Sequence, residues 1–290
     1  MSTTLNDTAL ANLVKVALAE DIGSGDATTL STVPEHLKAT AVFLAKEDCV
    51  CAGLPICEKV FTELDKHSKF TAKVEEGEFC PKGTILAEVF GNAQAVLTGE
   101  RTALNYLQRM SGIATTTKKY VDETAGSKTR ILDTRKTTPG LRMLEKYSVA
   151  MGGATNHRFG LFDRVMIKDN HRELAALNGN GGITRSVSAA REKFPNLEIE
   201  VEADNIDEVK EAAEAGAEYI LLDNMSNDEM KEAVKIIDGR SQVEASGGIT
   251  LERIASIASI GGVDFISVGA LTHCIKSVDI SLDIQIDSNS

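Results

Sequence analysis

Four β-rich runs in the C-terminal half of the chain end near Glu202, Asp223, Ser246 and Gly269, at spacings of 21, 23 and 23 residues. One strand, one helix and two short loops fill such an interval, so the spacing predicts βα units that add parallel strands to one sheet or barrel. The stretches between the runs carry helix signals. Asp204 with Asp207 can start a helix whose Ile206, Val209 and Ala213 share a face, and Ser226 with Glu229 fits a capping box ahead of Met230, Ala233 and Ile237. Upstream, residues 131–134 and 165–168 extend the series to six strands, with room for one more before His157. That count falls short of a closed eight-stranded barrel.

The first part of the chain follows a different rule. Residues 37–97 alternate in short runs (39–44, 69–74 and 85–90) broken by the turn signals Glu76-Gly77 and Lys82-Gly83, which reads as an antiparallel α+β domain. From 98 to about 125, Leu104, Leu107, Met110 and Ala114 fall on one helical face and Arg101, Asn105 and Gln108 on another, so a long helix is expected to bridge two domains. Residues 277–286 alternate again and are expected to return as a strand to the first domain. The division expected is 1–114, with the return of 275–290, and 115–274.

The 31 Lys and Arg against 43 Asp and Glu give a net charge of −12. That balance suits neither nucleic acid nor another extended polyanion as partner. No run approaches the ~20 apolar residues of a membrane helix, and the first residues lack the basic segment and apolar run of a secretory signal, so a cytoplasmic setting is expected. Cys49, Cys51, Cys57, Cys80 and Cys274 cannot all pair and show no zinc spacing. They read as reduced, mostly buried, structural thiols.

Charge is unevenly placed. Residues 130–172 hold nine Lys or Arg and four Asp or Glu, a local +5 that leaves −17 for the remainder. A compact basic site on an acidic protein suits a small anion with several charges. In parallel α/β folds ligands bind beyond the carboxyl ends of the strands, and here those ends are polar: Thr134-Arg135-Lys136, Lys168-Asp169-Asn170, Glu202, Asp223-Asn224, Ser246-Gly247-Gly248 and Gly269-Ala270, with Asn156-His157-Arg158 beside them. The two glycine segments each follow a strand and precede a helix, where bare N–H groups and the helix dipole favour a phosphate. Read alone, each is equally a helix cap or a tight turn. Glu202 and Asp223 end successive strands and can hold Mg²⁺ or bond ribose hydroxyls. A glycosidase acid/base pair is the competing use, against which the basic cluster argues.

Taken together, Glu100-Arg101-Thr102-Ala103-Leu104-Asn105, Asp133-Thr134-Arg135-Lys136-Thr137-Thr138-Pro139-Gly140, Asn156-His157-Arg158, Ile167-Lys168-Asp169-Asn170-His171, Glu200-Val201-Glu202, Leu222-Asp223-Asn224, Glu244-Ala245-Ser246-Gly247-Gly248-Ile249 and Ser267-Val268-Gly269-Ala270-Leu271-Thr272-His273 resemble the quinolinate phosphoribosyltransferases. With Glu20-Asp21-Ile22-Gly23-Ser24-Gly25-Asp26, the resemblance covers nearly the whole chain in order.

The resemblance implies an α/β protein with an N-terminal α/β sandwich domain and a C-terminal open, incomplete α/β barrel. It also implies a homodimer or dimer-based oligomer, in which the first domain of one subunit covers the barrel mouth of another. The reaction implied joins quinolinate to phosphoribosyl pyrophosphate with Mg²⁺, giving nicotinate mononucleotide, pyrophosphate and CO₂, a step of de novo NAD synthesis. Site residues carry over by motif. Arg135, His157, Arg158 and Lys168 are expected to meet the two quinolinate carboxylates, with Arg101 entering from the neighbouring subunit, and Lys136 and Lys168 to meet the donor's phosphates. Glu202 and Asp223 match the carboxylates near ribose and Mg²⁺. Ser246, Gly247, Gly248, Gly269 and Ala270 match the 5′-phosphate cradle, which His273 is expected to line; helix-end packing is the other reading of His273. Gly179-Asn180-Gly181-Gly182, after Leu177, departs from the pattern and is expected outside the pocket.

Three rival functions remain. Molybdenum-associated paralogues share the scaffold without needing quinolinate. A Schiff-base aldolase would use Lys168 as nucleophile, but the neighbouring cations and the extra domain speak against it. A non-catalytic phosphate binder would need the glycine loops only.

Overall fold

A computed structural model describes residues 5–175, 177 and 179–285 of the chain. The outermost residues of the expected first domain (1–4) and of its expected C-terminal return (286–290), Ile286 among them, lie outside the described residues. Two compact units result: one holds the chain up to Lys118, Thr138–Gly153 and everything from Leu271 on, the other Lys119–Thr137 and Ala154–Ala270.

The strands, in chain order, are β1 (Lys38–Ala45), β2 (Cys49–Val50), β3 (Lys69–Ala72), β4 (Phe79–Cys80), β5 (Ile85–Asn92), β6 (Arg130–Leu132), β7 (Val165–Ile167), β8 (Ile199–Ala203), β9 (Tyr219–Asp223), β10 (Gln242–Ser246), β11 (Phe265–Ser267) and β12 (Ile280–Gln285). In the first unit a four-stranded antiparallel sheet runs β12-β1-β5-β3, and β2 pairs with β4. The C-terminal strand thus returns to this unit, with Phe43 opposite Leu282. Phe43, Phe61 and Phe70 centre the core, their rings 6.0–6.5 Å apart. The long helix runs Ala93–Asp122, starting five residues earlier than its apolar stripe suggests. Cys49, Cys51, Cys57 and Cys80 are buried in this unit and Cys274 is exposed.

One segment departs from the division read off the sequence. Thr138–Gly153 groups with the first unit although it was expected in the barrel. Its helix Arg142–Met151 buries Leu144 in the first unit's core, and Tyr147 hydrogen-bonds the partly buried Glu76 carboxylate. These are contacts with residues distant in sequence.

The second unit is a six-stranded parallel sheet in the order β6-β11-β10-β9-β8-β7. The seventh strand foreseen before His157 is a single parallel bridge, Leu132 to Thr155. Three helices show why the sheet is built this way: Ile206–Glu214 buries Val209, Ala212 and Ala213, Asn227–Ile237 buries Met230, Ala233 and Ile237, and Leu251–Ala258 buries Ile254, Ile257 and Ala258. The capping box forms as expected, Ser226 Oγ accepting from the Glu229 N–H and Glu229 Oε2 from the Ser226 N–H. At the preceding helix the cap is Asn205 rather than Asp204, accepting from the Glu208 N–H at 3.0 Å.

Alternation along the strands separates two faces. On β8, Ile199, Val201 and Ala203 are fully buried apolar positions, while Glu200 and Glu202 occupy the opposite face. Glu244 and Ser246 repeat this on β10, and both Glu202 and Glu244 stand opposite Leu221 of β9 in the strand register. The sheet therefore gathers carboxylates along one side. No helix among the described residues is long and apolar enough to cross a membrane.

Candidate active site

A cavity of about 730 Å³ opens at the carboxyl ends of the parallel strands. Eleven of the residues expected in the site line it: Arg135, Lys136, His157, Arg158, Lys168, Glu202, Asp223, Ser246, Gly247, Gly248 and Gly269. Ala270 follows Gly269 without lining it. Arg101, exposed on the helix Ala93–Asp122, and His273, at the end of the short helix Ala270–His273, belong to the first unit. Gly179-Asn180-Gly181-Gly182 takes no part in the lining.

Each wall has a local cause. After β6, Thr134 Oγ1 accepts from the Lys136 N–H at 3.0 Å and Arg135 C=O from the Thr137 N–H at 2.9 Å, a tight turn that carries Arg135 and Lys136. The Asp133 carboxylate, fully buried at the end of β6, accepts from the His157 backbone N–H at 2.7 Å and from Asn156 Nδ2 at 3.1 Å. It fixes the segment bearing His157 and Arg158. Arg158 donates to the Arg164 carbonyl at 3.0 Å, and burial followed by the nearby Arg135 charge pulls its pKa below the usual range. Arg135 Nε is buried and has no hydrogen-bond partner among the described residues. A buried, unpartnered guanidinium donor next to a second guanidinium calls for an anion.

The floor holds a denser network. His157 Nε2 lies 3.2 Å from Glu200 and 3.5 Å from Glu244, and all three side chains are buried. Glu200 also takes the Arg164 guanidinium at 3.3 Å, which lies 3.8 Å over the Tyr219 ring. Burial pushes Glu200 up, but His157 and Arg164 bring it below its ordinary value. Burial, then the Glu200 charge, pushes Glu244 up. Opposing influences act on His157. Burial lowers its pKa and the two carboxylates more than reverse this, toward about 9, yet the Arg158 N–H points at Nδ1 from 2.6 Å and requires a lone pair there. With that hydrogen bond in place the ring carries one proton, on Nε2.

At the rim, Lys168 forms an ion pair with Glu202, which lies close enough to Asp223 and Asp169 to feel both charges. Burial, aided by those neighbours, holds Glu202 above its ordinary value; Asp204 is raised likewise by burial, Glu208, Asp223 and Asp169. Beside them, Gly247 has φ +84°, and a Cβ there would come within 2.3 Å of Asn224 Oδ1 and 2.7 Å of its backbone nitrogen. Only glycine fits.

Residues 26–111 match the N-terminal domain of quinolinate phosphoribosyl transferase and residues 113–283 its C-terminal domain. The chain belongs to the quinolinate phosphoribosyltransferase family. It is 45% identical over 293 residues to a chloroplastic carboxylating nicotinate-nucleotide pyrophosphorylase of Arabidopsis thaliana, covering 94% of this chain and 82% of that protein. A probable enzyme of the same name from Bacillus subtilis is 42% identical over 287 residues, 99% of this chain and 97% of its own. The solved nicotinate-nucleotide pyrophosphorylase of Francisella tularensis superposes with a TM-score of 0.90 at 39% identity, covering 98% of each chain. In this family member the motif reading passed over Asp133, Glu200, Glu244 and Ser267 as site residues. The available signal was a carboxylate at alternate positions of otherwise apolar strands, as in Glu200-Val201-Glu202.

Proposed function

We propose that this chain carries out its family's reaction in the cavity of the second unit, converting quinolinate and phosphoribosyl pyrophosphate to nicotinate mononucleotide, pyrophosphate and CO₂ in de novo NAD synthesis. The observation that carries the reading is the buried, unpartnered Nε of Arg135 beside Arg158. A pyridine dicarboxylate supplies the missing acceptors, each charge-assisted bond contributing about 1.5–3 kcal/mol. His157 and Lys168 complete that pocket, and Arg101 is assigned to it from a second subunit of a dimer. The dimer and a cytoplasmic setting belong to this proposal.

Phosphate recognition divides between side chains and main chain. Lys136 and Lys168 meet the pyrophosphate, while the N–H groups of Ser246, Gly247 and Gly248, ahead of the helix Leu251–Ala258, cradle the 5′-phosphate. Gly269, Ala270 and His273 are assigned to the other side of that cradle.

The crowding of Asp169, Glu202, Asp204 and Asp223 fits a hard divalent cation, because burial first, and then repulsion from the neighbouring carboxylates, hold Glu202 and Asp204 above their ordinary values. Glu202 and Asp223 would hold Mg²⁺, directly or through water. When bound, the ion neutralises charge on the leaving pyrophosphate. The chain's own groups do the rest. Positive charge develops at C1 of the ribose as pyrophosphate departs, and the Glu202 and Asp223 carboxylates stabilise it. Arg135, Arg158 and His157 hold the pyridine ring so that its nitrogen faces C1. Once joined, the ring nitrogen is cationic and stabilises the carbanion left when the adjacent carboxylate leaves as CO₂. No covalent enzyme intermediate is needed, and Lys168, engaged with Glu202, acts as a cation.

The test is incubation with quinolinate, phosphoribosyl pyrophosphate and Mg²⁺. Equal amounts of nicotinate mononucleotide and CO₂ are expected, and little nucleotide from nicotinate under the same conditions. Product from nicotinate at the same rate would point to a non-decarboxylating paralogue, and borohydride trapping of Lys168 to a Schiff-base enzyme.

A further inference from the structure

Loss of CO₂ leaves an electron pair on a ring carbon, and a proton must reach it before the product is formed. This requirement rests on the function proposed above, and it directs attention to the cavity floor. Glu244 is 0% exposed, yet it lines the cavity. Its Oε1 accepts a hydrogen bond from the Ser267 hydroxyl of β11, whereas its buried Oε2 has no hydrogen-bond partner among the described residues. Glu200, the neighbouring carboxylate on β8, takes the cation, Arg164, and lies nearer to His157 Nε2. The imidazole has a single N–H to give, since its Nδ1 accepts from Arg158.

The groups facing Glu244 are therefore one hydroxyl, one imidazole already committed to Glu200, and the Glu200 carboxylate itself. Among the described residues no lysine or arginine pairs with Glu244, and His157, 3.5 Å from its Oε2, lies nearer to Glu200. An ionised carboxylate in that position would be enclosed, next to a like charge, and in the path of a doubly negative substrate. A neutral acid has none of these costs, and with Oε1 accepting from Ser267 its proton resides on Oε2. Its raised pKa agrees.

We propose that Glu244 is the general acid of the decarboxylation half-reaction, donating its Oε2 proton to the ring carbon that loses CO₂. The carbon–carboxylate bond breaks and its electron pair stays on the ring carbon beside the cationic nitrogen. The C–H bond then forms as the Glu244 O–H bond breaks. Glu244 becomes a carboxylate that keeps the Ser267 hydroxyl and lies 3.5 Å from His157 Nε2, and it regains a proton from solvent after the product leaves. No oxidant, reductant or further reactant enters.

Glu244→Gln keeps the shape and the neutrality of the side chain but removes the acid. Single turnovers of the full chain with quinolinate, phosphoribosyl pyrophosphate and Mg²⁺ are followed for pyrophosphate and CO₂ separately. Glu244→Gln is expected to retain the pyrophosphate burst and quinolinate affinity while net CO₂ release slows ~100-fold or more. In mixed light and heavy water, the hydrogen-to-deuterium ratio at the new C–H bond is expected to change, because water replaces a carboxylic acid as donor. CO₂ release at the wild-type rate, or pyrophosphate and CO₂ falling together with quinolinate affinity, would overturn the assignment. Should Glu244→Gln not fold, Ser267→Ala serves: CO₂ release slowed about tenfold with the burst intact supports the acid, and an unchanged ratio of the two rates contradicts it. Failure of the wild-type chain to form nicotinate mononucleotide would instead remove the function on which the proposal rests.

Discussion

The floor and the rim of the cavity use the same side chain in opposite ways. On the floor, Glu200 is enclosed and fully engaged, with the His157 N–H on one oxygen pair and Arg164 beside it. At the rim, Glu202 has Lys168 against it but also faces Asp169 and Asp223, and Asp204 adds a fourth carboxylate. The floor is settled by the protein's own donors, the His157 N–H and the Arg164 guanidinium. The rim retains unbalanced negative charge that a cation from solution can settle. Two residues apart on β8, Glu200 and Glu202 thus teach that a strand-end carboxylate is structural or ligand-binding according to what the neighbouring strands bring to it.

Removing one carboxylate from each region gives the sharpest contrast. Glu200→Ala leaves the buried His157 N–H without its acceptor and the partly buried Arg164 guanidinium without its counter-charge, and a loss of about 3–5 kcal/mol in unfolding free energy is expected by denaturant titration. Asp223→Asn at the rim should leave stability within about 0.5 kcal/mol of the parent and lower activity by about 100-fold at fixed Mg²⁺. If the rim substitution destabilised the fold as much as the floor substitution, the contrast would fail.

A smaller effect follows from the rim's protonation. Glu202 and Asp204 have folded pKa values above their ordinary ones, so just above those ordinary values the folded state binds protons the unfolded state does not. Stability contributed by these groups therefore falls as pH rises through that window. Mg²⁺ competes with the same protons, so the rise in melting temperature on adding it should be greater at about pH 7 than at about pH 5. Asp223→Asn should reduce that rise. An equal Mg²⁺ effect at both pH values would separate the ion from these carboxylates.

How much of this could be read from residues alone varies with how local each signal is. The βα spacing, the Ser226 capping box and the polar strand ends are local, and the structure places them as read. The Asn205 cap was one residue off, because Asp204 and Asn205 are both capable caps and the backbone decides between them. The placement of Thr138–Gly153 depends on burial of Leu144 and on the Tyr147–Glu76 hydrogen bond, neither of which has a sequence period. The same holds for Glu244. Its meaning comes from Glu200 on β8, Ser267 on β11 and the loop carrying His157, three segments separated in the chain by more than twenty residues each. Arg101 and His273, expected in the site by resemblance, do not line the cavity; the first was expected from a neighbouring subunit and the second beside the 5′-phosphate cradle.

Calorimetric titration with quinolinate and with nicotinate addresses the central claim, that the cavity is built around two carboxylates of one small ring. Loss of a carboxylate from the ligand removes about 1.5–3 kcal/mol of charge-assisted bonding, so quinolinate should bind at least about tenfold more tightly than nicotinate. Equal affinity for the two would mean that the Arg135 and Arg158 guanidiniums recognise something else.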